Sequence, residues 1–364
     1  MQKQQIINSW QMATLFLSFL TGSAIVNIPS PLGQAAGSGA WLSLCLANGL
    51  GMLLLACILY LHRQFPELTL IEYSRKILGK WLTGFISIPM LILILVDLSY
   101  LTIDIGDFFA NTMMRETPPY VFHGLILLLV ALTTYAGIQV MARMFTLLLY
   151  ALAGPIAIVI LLALPNYRPE YLLHTFSHGI KPILHGSYIA FGFPYAETLL
   201  FAMLLPFTHR ESKHQLGKFM FASLFMSGIS LVIAIVCSTM AFGPLTGELK
   251  YSLYQLVRLI NIADIIERIE SIIGLVLIAG SYMKATILLF ILRMTLTKFL
   301  NLQDGRFFTF PLAFLALLLS LTMHKNEFEF ATAVLVIWPL FITIVLVLPM
   351  ILITICAFFK RKTG

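Results

Sequence analysis

Five ionisable side chains lie inside stretches that are otherwise apolar, and their types and spacing are the ones that could do chemistry. They are Asp97, Asp104, Asp107, Glu197 and Lys284. The three aspartates are separated by seven and by three residues, so a helix places them along one face. An isolated charge is costly in an apolar medium. Such side chains therefore mark paths for ions or protons, or sites that bind polar ligands.

Two short stretches rich in glycine and proline accompany these charges. Residues 22–31 read Gly-Ser-Ala-Ile-Val-Asn-Ile-Pro-Ser-Pro, and residues 192–197 read Gly-Phe-Pro-Tyr-Ala-Glu. Both residue types weaken a helix, and in a membrane the backbone groups that they free must face protein or a polar cavity. Each stretch therefore predicts a broken helix. Free N–H groups at a half-helix suit a carboxylate and free carbonyl groups suit a cation, a combination that fits a zwitterionic amino acid. The alternative is a kink that serves helix packing alone.

The elements that must position these residues are membrane-spanning helices. Of the 364 residues, 59% are hydrophobic and 11% are charged, and the mean hydropathy is +0.93. Soluble domains carry about 25% charged residues, so the composition excludes a soluble protein and favours one membrane domain over residues 1–364. The net charge of +7 is interpreted as a sign of membrane orientation and not of nucleic-acid binding.

Runs of about 20 apolar residues predict about ten transmembrane helices. They lie near residues 10–32, 38–61, 81–110, 118–138, 144–164, 180–206, 217–242, 267–296, 307–324 and 329–358. Of the 23 Lys and Arg residues, fifteen fall in one alternating set of loops, seven in the other, and Lys284 within a helix. This excess predicts that both termini are cytoplasmic. A surface helix is expected within residues 62–80 on that side, and an interfacial segment within residues 243–264 on the other.

Ten helices divide into two sets of five, near residues 10–164 and 180–358, and an odd number per set gives the two halves opposite orientations. The broken helices, the first and the sixth, are then the first helix of each half. This arrangement predicts an inverted-repeat transporter fold with its ligand site near the membrane midplane. The residues expected to line that site are Gly22, Ser23, Ala24, Ile25, Asn27, Tyr100, Phe191, Gly192, Phe193, Tyr195 and Glu197. Helices three and eight are expected to complete it.

The first broken helix resembles that of the amino acid–polyamine–organocation superfamily. Residues 22–26 are similar to the unwound Gly-Ser-Gly-Ile-Phe-like stretch of that group, with Ala24 in place of the usual third glycine. Within the superfamily, the whole chain resembles the spore-germination permease family, the B subunits of GerA-type nutrient germinant receptors. The features that carry this resemblance are the length, the number of predicted helices, Asn-Ile-Pro at 27–29 and Phe-Pro-Tyr-Ala-Glu at 193–197.

The resemblance implies an all-α membrane protein with a LeuT/APC-like 5+5 inverted repeat, located in the inner membrane of a spore. It further implies recognition of a nutrient, commonly an amino acid, in company with an A subunit and a C-subunit lipoprotein. A free-standing, proton-coupled amino-acid permease is the alternative function, and a scaffold without a ligand is a third. The sequence shows no motif in a context typical of an enzyme, a cofactor site or a metal site. His174 and His178 are expected to be solvated in a loop.

Lys284 is expected to pair with Asp97 or Glu197, because a lone buried ammonium is costly. Its charge would then take the role that a bound cation plays in sodium-dependent members of the superfamily; a purely structural ion pair is the alternative. The predicted buried charge network consists of Asp97, Asp104, Glu197 and Lys284. For Glu197, a role in capping a half-helix or lining the site is favoured over a proton relay.

Overall fold

The protein is built from helices throughout the part of the chain that the structure describes. The computed structural model describes residues 6–173, 175, 179–209, 213–259, 270–324 and 326–363. The helices are α1 (Ser9–Thr21), α2 (Ala24–Asn27), α3 (Pro29–Ala36), α4 (Ala40–Gln64), α5 (Leu70–Leu78), α6 (Lys80–Thr112), α7 (Pro119–Ala136), α8 (Ile138–Leu162), α9 (Ile180–Ala190), α10 (Lys213–Phe242), α11 (Ser252–Arg258), α12 (Glu270–Phe299), α13 (Thr309–Thr322) and α14 (Glu327–Lys360). A 3₁₀ segment, Ala196–Met203, follows α9, and α14 contains two π-helical turns.

Eight helical runs within the described residues are long and apolar enough to cross a membrane by length and composition. They correspond to predicted helices one to five, seven, eight and ten. Predicted helix six is the interrupted segment that starts with α9, and predicted helix nine is the shorter apolar helix α13. The all-helical membrane fold is thus confirmed, while the count of ten spanning helices and the division into two halves remain predictions.

Local sequence signals explain several helix ends. The side chain of Asn8 accepts a hydrogen bond from Gln11 N–H at 2.7 Å, and the Gln11 side chain accepts one from Asn8 N–H, which together form a capping box at the start of α1. Gly79 and Gly137 separate α5 from α6 and α7 from α8, with φ angles of +87° and +98°. Such angles disfavour residues with a Cβ, so each glycine lets the chain turn sharply between two adjacent helices.

The amphipathic helix α5 confirms the surface helix predicted within residues 62–80. Its apolar side chains are buried, whereas Glu72 on its polar side forms an ion pair with Lys298 at the end of α12, at 2.7 Å. Hydrogen bonds from Lys298 and Thr69 hold the pKa of Glu72 below its ordinary value, although partial burial opposes them. The ammonium of Lys360, at the end of α14, donates to the carbonyl of Ile77 at 2.8 Å. These contacts tie α5 to the ends of α12 and α14.

The first described residues lie at the same face of the molecule as α5. Ile7 N–H donates to the carbonyl of Phe207 at 2.9 Å, and the Gln139 amide donates to the carbonyl of Ile6 at 3.0 Å. The Arg293 guanidinium, near the end of α12, donates to the carbonyl of Thr134 at 3.1 Å, next to the turn before α8. We call this face, which carries residues 6–8 and the end of α14, the terminal face. On the opposite side, α11 forms part of the predicted interfacial segment, whose residues 260–264 lie outside the described residues.

Candidate functional site

The first break interrupts the chain between α1 and α2. Gly22 N–H still donates to the carbonyl of Ser18 at 3.0 Å, but Gly22 then leaves helical geometry with φ −10° and ψ −106°. Backbone N–H groups of Val26 and Asn27 both turn back to the carbonyl of Ser23. The predicted break is therefore present, and it spans Gly22 and Ser23.

The close approach of α12 explains why glycine stands at this break. A Cβ on Gly22 would lie 2.8 Å from the carbonyl oxygen of Gly280 and 2.9 Å from that of Ser18. Both are backbone atoms, which cannot move aside as the tip of a flexible side chain can. Gly22 and Gly280 therefore let α1 and α12 meet at backbone distance, as small residues do in other membrane helix contacts.

The second break follows α9. Phe193 has the extended angles φ −141° and ψ 120° between helical neighbours, and the Phe193–Pro194 peptide bond is cis. Gly192 packs against α14, because a Cβ at this position would lie 2.7 Å from the Cα of Pro339. The second predicted break is thus also present, and its extended residue directs a phenylalanine side chain inward.

The two breaks border one cavity of about 460 Å³, which we call the break cavity. This volume is within the range of small-molecule sites. The break cavity is lined by residues from α2, α3, α6, α9, α14, the second break and the segment around α11. Its polar and aromatic lining residues are Ser23, Asn27, Asp97, Tyr100, Asp104, Phe193, Lys250, Tyr251, Glu327, Phe328, Phe330 and Trp338.

A hydrogen-bonded group closes the end of the break cavity away from the terminal face. Lys250 Nζ lies 2.8 Å from a carboxylate oxygen of Glu327, to which the Asn111 amide also donates at 2.8 Å. The side chains of Lys250 and Glu327 are 43% and 58% exposed, so this ion pair is open to solvent. One level deeper, the Asn27 amide donates to the carboxylate of Asp104. The rim of the cavity is therefore polar, and an ion pair and hydrogen bonds connect the elements that form it.

A dry ion pair lies behind the second break. Lys284 Nζ is 2.5 Å from a carboxylate oxygen of Glu197, and the side chains are 1% and 0% exposed. The ring of Phe193 packs on the ammonium at 4.0 Å to the ring centroid, and that of Phe19 at 5.3 Å. Lys284 thus pairs with Glu197, which is one of the two partners that charge balance allowed.

Four oxygen atoms of residues on the wall of the break cavity are buried and make no hydrogen bond to the described residues. They are Asp97 Oδ2, Ser23 Oγ, Asn27 Oδ1 and Tyr251 Oη. Asp97 is 3% exposed and Ser23 is fully buried. Buried polar groups in proteins are nearly always hydrogen-bonded, so each unpartnered group calls for an explanation. A ligand that donates hydrogen bonds would supply one.

The structure separates the predicted site residues into two groups. Ser23, Asn27, Tyr100 and Phe193 line the break cavity, together with Asp97 and Asp104 of the predicted charge network. The remaining predicted residues do not line it. They are Gly22, Ala24, Ile25, Phe191, Gly192, Tyr195 and Glu197.

The angular spacing of residues around a helix axis explains why most of these predicted residues do not line the cavity. Successive residues of a helix point about 100° apart, so neighbours of a lining residue face elsewhere. Gly22 and Ile25 line a different, largely apolar groove of about 620 Å³ between α1, α8, α10 and α12. Tyr195 is fully buried against Gly51 of α4. Glu197 turns away from the cavity to pair with Lys284.

The sequence interpretation missed the contribution of α14. Glu327, Phe328, Phe330 and Trp338 all line the break cavity, whereas α12, which was expected to complete it, is absent from the described lining. Trp338 also packs on Tyr100, with 5.6 Å between ring centroids. In the sequence, Trp338 is one aromatic residue in an apolar run and carries no signal of its own. The acidic pair Glu327 and Glu329, next to the start of a spanning helix, was the available hint.

The described residues contain no group of three His, Cys, Asp or Glu side chains that could hold a metal ion. His174 and His178 lie outside the described residues. The described lining of the break cavity offers carboxylates, hydroxyl groups, an amide, aromatic rings and the ammonium of Lys250.

Comparisons with known proteins agree with this geometry. The model of a family described as "Spore germination protein" matches residues 6–329. The chain is 23% identical over 359 residues to spore germination protein KB of Bacillus subtilis (strain 168), a match that covers 97% of this chain and 95% of that protein.

Two solved transporters share the fold. MhsT in complex with L-phenylalanine superposes with a TM-score of 0.72 at 14% identity, over 94% of this chain and 89% of MhsT. A substrate-bound, outward-open Na⁺-coupled sialic acid symporter gives 0.69 at 10% identity, over 95% of this chain and 79% of that chain. Identities this low show the fold alone, which is that of the LeuT-type transporters. These related proteins take part in germination or transport and are not enzymes.

Proposed function

The chain belongs to the spore germination protein family, and from that premise we propose that it is the membrane-embedded B subunit of a nutrient germinant receptor. Its ligand is a small nutrient, with an amino acid as the leading class, and binding triggers germination. The observation that carries this proposal is the break cavity itself. Two interrupted helices border a cavity with unpartnered polar atoms on its wall, and such breaks are where LeuT-type proteins build ligand sites.

Receptor action requires that the ligand favours one conformation over another, because a ligand shifts an equilibrium only by its differential affinity. The break cavity supports this proposal, since residues of several separate elements share its wall. Phe193 sits in the second break, Asn27 joins α2 to α6 through Asp104, and Glu327 joins α14 to Lys250. A ligand between them changes the contacts of all three at once.

The partners in this proposal are an A subunit and a C-subunit lipoprotein, and the location is the inner membrane of the spore. Both termini face the cytoplasm. The excess of Lys and Arg supports this orientation, and residues 6–8 and the end of α14 lie together at the terminal face. The break cavity is then closest to the opposite, outer side, from which a nutrient arrives.

A free-standing, proton-coupled amino-acid permease is the second candidate. The observation that favours it is the LeuT-type fold, which one of the solved neighbours, a Na⁺-coupled sialic acid symporter, also has. The two functions differ in what binding requires and produces. A permease moves its ligand across a membrane without other subunits, whereas the receptor subunit responds to ligand through its partners.

The test is a thermal-shift screen of the purified chain, alone and co-expressed with the A and C subunits, against amino acids, sugars and nucleosides. A ligand at 100 times its dissociation constant stabilises the folded state by about 2.7 kcal/mol. Val334→Trp, which fills the break cavity, should abolish the shift. Val336→Trp is the matched control, because Val336 is 61% exposed on the outer surface of the same helix.

The outcomes separate the candidates. Ligand binding in the break cavity is supported if the ligand raises the melting temperature of Val336→Trp but not that of Val334→Trp. Accumulation of that compound inside liposomes that contain the chain alone would support the permease function and contradict the receptor function. Failure of every compound to stabilise even the co-expressed complex would contradict both.

A further inference from the structure

The buried charges around the second break do not balance. Asp97, Glu197 and Lys284 are each at most 3% exposed, and together they carry two formal negative charges and one positive charge. The Lys284 ammonium is in direct contact with Glu197. Asp97 also feels the charge of Lys284, but no cation among the described residues is in contact with it. A carboxylate without a contacting positive charge is strongly unfavourable in a dry environment. The missing component is one positive charge next to Asp97.

No side chain among the described residues supplies that charge at hydrogen-bond distance. Within the described part of the chain, Asp97 forms no ion pair, and its Oδ2 atom has no hydrogen-bond partner. The other ionisable groups on the wall of the break cavity are Tyr100, Asp104, Lys250, Tyr251 and Glu327. Lys250 is the one cation among them, and it is engaged with Glu327 at the rim.

Asp97 is on the wall of the break cavity, where a ligand reaches it. Ser23 Oγ and Asn27 Oδ1 are on the same wall and are likewise unpartnered. A primary ammonium group has three N–H donors and no acceptor. Asp97 Oδ2 and Asn27 Oδ1 are acceptors only, and the unpartnered hydroxyl groups of Ser23 and Tyr251 can accept as well as donate. The set therefore matches an ammonium group better than it matches a carboxylate or a phosphate.

Aromatic rings provide a second, independent feature that favours a cation. Phe193, Tyr100 and Trp338 all line the break cavity, and the rings of Tyr100 and Trp338 meet edge to face at 5.6 Å and 67°. Aromatic faces attract cations by their negative quadrupole, most strongly where water is excluded. The rest of the wall is mostly aliphatic, with Ile28, Leu101 and Leu335 among its members.

We propose that Asp97 is the recognition residue for the positively charged amino group of the ligand, with Ser23 and Asn27 as additional acceptors. The ligand class is therefore a primary amine with an apolar body, including apolar amino acids, and excludes sugars, nucleosides and hydroxy acids. This inference rests on the proposed function, because it places the ligand in the break cavity. The ammonium of the bound ligand completes the charge balance that Asp97 lacks.

The first experiment varies the ligand on a constant carbon skeleton. The probes are L-leucine, N-acetyl-L-leucine, 2-hydroxy-4-methylpentanoate and 3-methylbutylamine, with the corresponding series for L-phenylalanine, measured by calorimetry on the co-expressed complex. Compounds with a free ammonium are expected to bind at least about tenfold more tightly than those without one, since hydrogen bonds to charged groups are strong. Equal binding by the hydroxy acid would overturn the inference and leave the proposed function intact.

The second experiment varies Asp97. Asp97→Asn should weaken binding of the amine probes by at least about tenfold, whereas Asp97→Glu should retain part of it. The matched control is Asp107→Asn, ten residues further along α6, because Asp107 is half-buried and is not in the described lining. Unchanged binding in Asp97→Asn would overturn the inference.

A third measurement needs no ligand. With no ligand bound, Asp97→Asn removes an uncompensated charge, so the melting temperature is expected to rise. A fall in the melting temperature would show that the carboxylate makes a contact that the fold requires, and the recognition role would then be wrong.

The binding experiments also separate this inference from the proposed function. Failure of all amine probes to bind, when a sugar or nucleoside binds in the wider screen, would overturn the amine class alone. Failure of every compound would count against the proposed function as well.

Discussion

The ring of Phe193 lines the break cavity and also packs on the ammonium of Lys284, with 4.0 Å between Nζ and the ring centroid. Lys284 itself is 1% exposed and is not in the described lining of the cavity. The extended backbone of Phe193 places the ring in this position. The Phe193 ring therefore contacts both a buried charge and the volume that we assign to the ligand.

Phe193→Ala is expected to make Lys284 reactive from the cavity. Removal of the ring opens a path of several ångströms from the cavity to the ammonium, which then meets water. The measurement is reductive methylation followed by peptide mass spectrometry. Lys298, one-third exposed at the terminal face, serves as the internal reference that reacts in every variant.

Phe191→Ala is the matched control, since Phe191 is two residues away and is not in the described lining of the cavity. Lys284 should stay protected in this variant and in the wild type. Equal methylation of Lys284 in the wild type and in Phe193→Ala would show that the ring does not cover the charge.

The ion pair between Lys284 and Glu197 predicts a large coupling between the two residues. Lys284→Met leaves a buried carboxylate without its partner and should lower the free energy of unfolding by about 3–5 kcal/mol. Lys284→Met combined with Glu197→Gln should recover most of that loss. Thermal unfolding in detergent of the two single variants and the double variant gives the coupling energy.

The half-buried pair of Lys298 and Glu72 offers the comparison, because both residues are about one-third exposed. Lys298→Met should lower the free energy of unfolding by about 0–1 kcal/mol, as is usual for pairs near the surface. If the two lysine substitutions have the same effect, the pair of Lys284 and Glu197 is not held in a dry environment.

Glycine and proline in an apolar run were sufficient to predict both broken helices, because lipid cannot satisfy a free backbone group. Charge balance was sufficient to predict that Lys284 pairs with an acid, but not to choose Glu197 over Asp97. That choice depends on how α12 packs against the second break. Such packing is a tertiary property, which the spacing of residues along one helix does not contain.

The lining of the cavity was less predictable than the breaks for a geometric reason. Gly22 and Ser23 are adjacent, yet one faces the apolar groove and the other the break cavity. A break changes the rotation of the chain between two half-helices, so the 3.6-residue period no longer tells which side chains share a face. Trp338 was missed because aromatic residues in apolar helices mostly face lipid or the core, and only the fold brings this one to Tyr100.

Ligand binding is expected to be independent of sodium. The Lys284 ammonium is already in contact with Glu197 inside the protein, and the proposed ligand ammonium supplies the remaining charge beside Asp97. Calorimetric titration of the probe that binds most tightly should give the same dissociation constant when potassium or choline replaces sodium at constant ionic strength. Binding that requires sodium in the wild type would instead assign the site beside Asp97 to a metal cation.

The backbone contact of Gly22 with Gly280 predicts that the break is held in place by α12. Gly22→Ala would put a methyl group 2.8 Å from a carbonyl oxygen, and the two helices must separate to admit it. The expected loss is about 1–3 kcal/mol, typical of overpacking in a close-packed interior. Gly49→Ala, inside α4, is the control, because a Cβ there meets open space and alanine is favoured over glycine in a helix by about 0.5–1 kcal/mol. Thermal unfolding should therefore show a lower melting temperature for Gly22→Ala and an equal or higher one for Gly49→Ala. Equal melting temperatures would mean that α1 and α12 separate at no cost, and the geometry of the first break would then have to come from α1 and α2 alone.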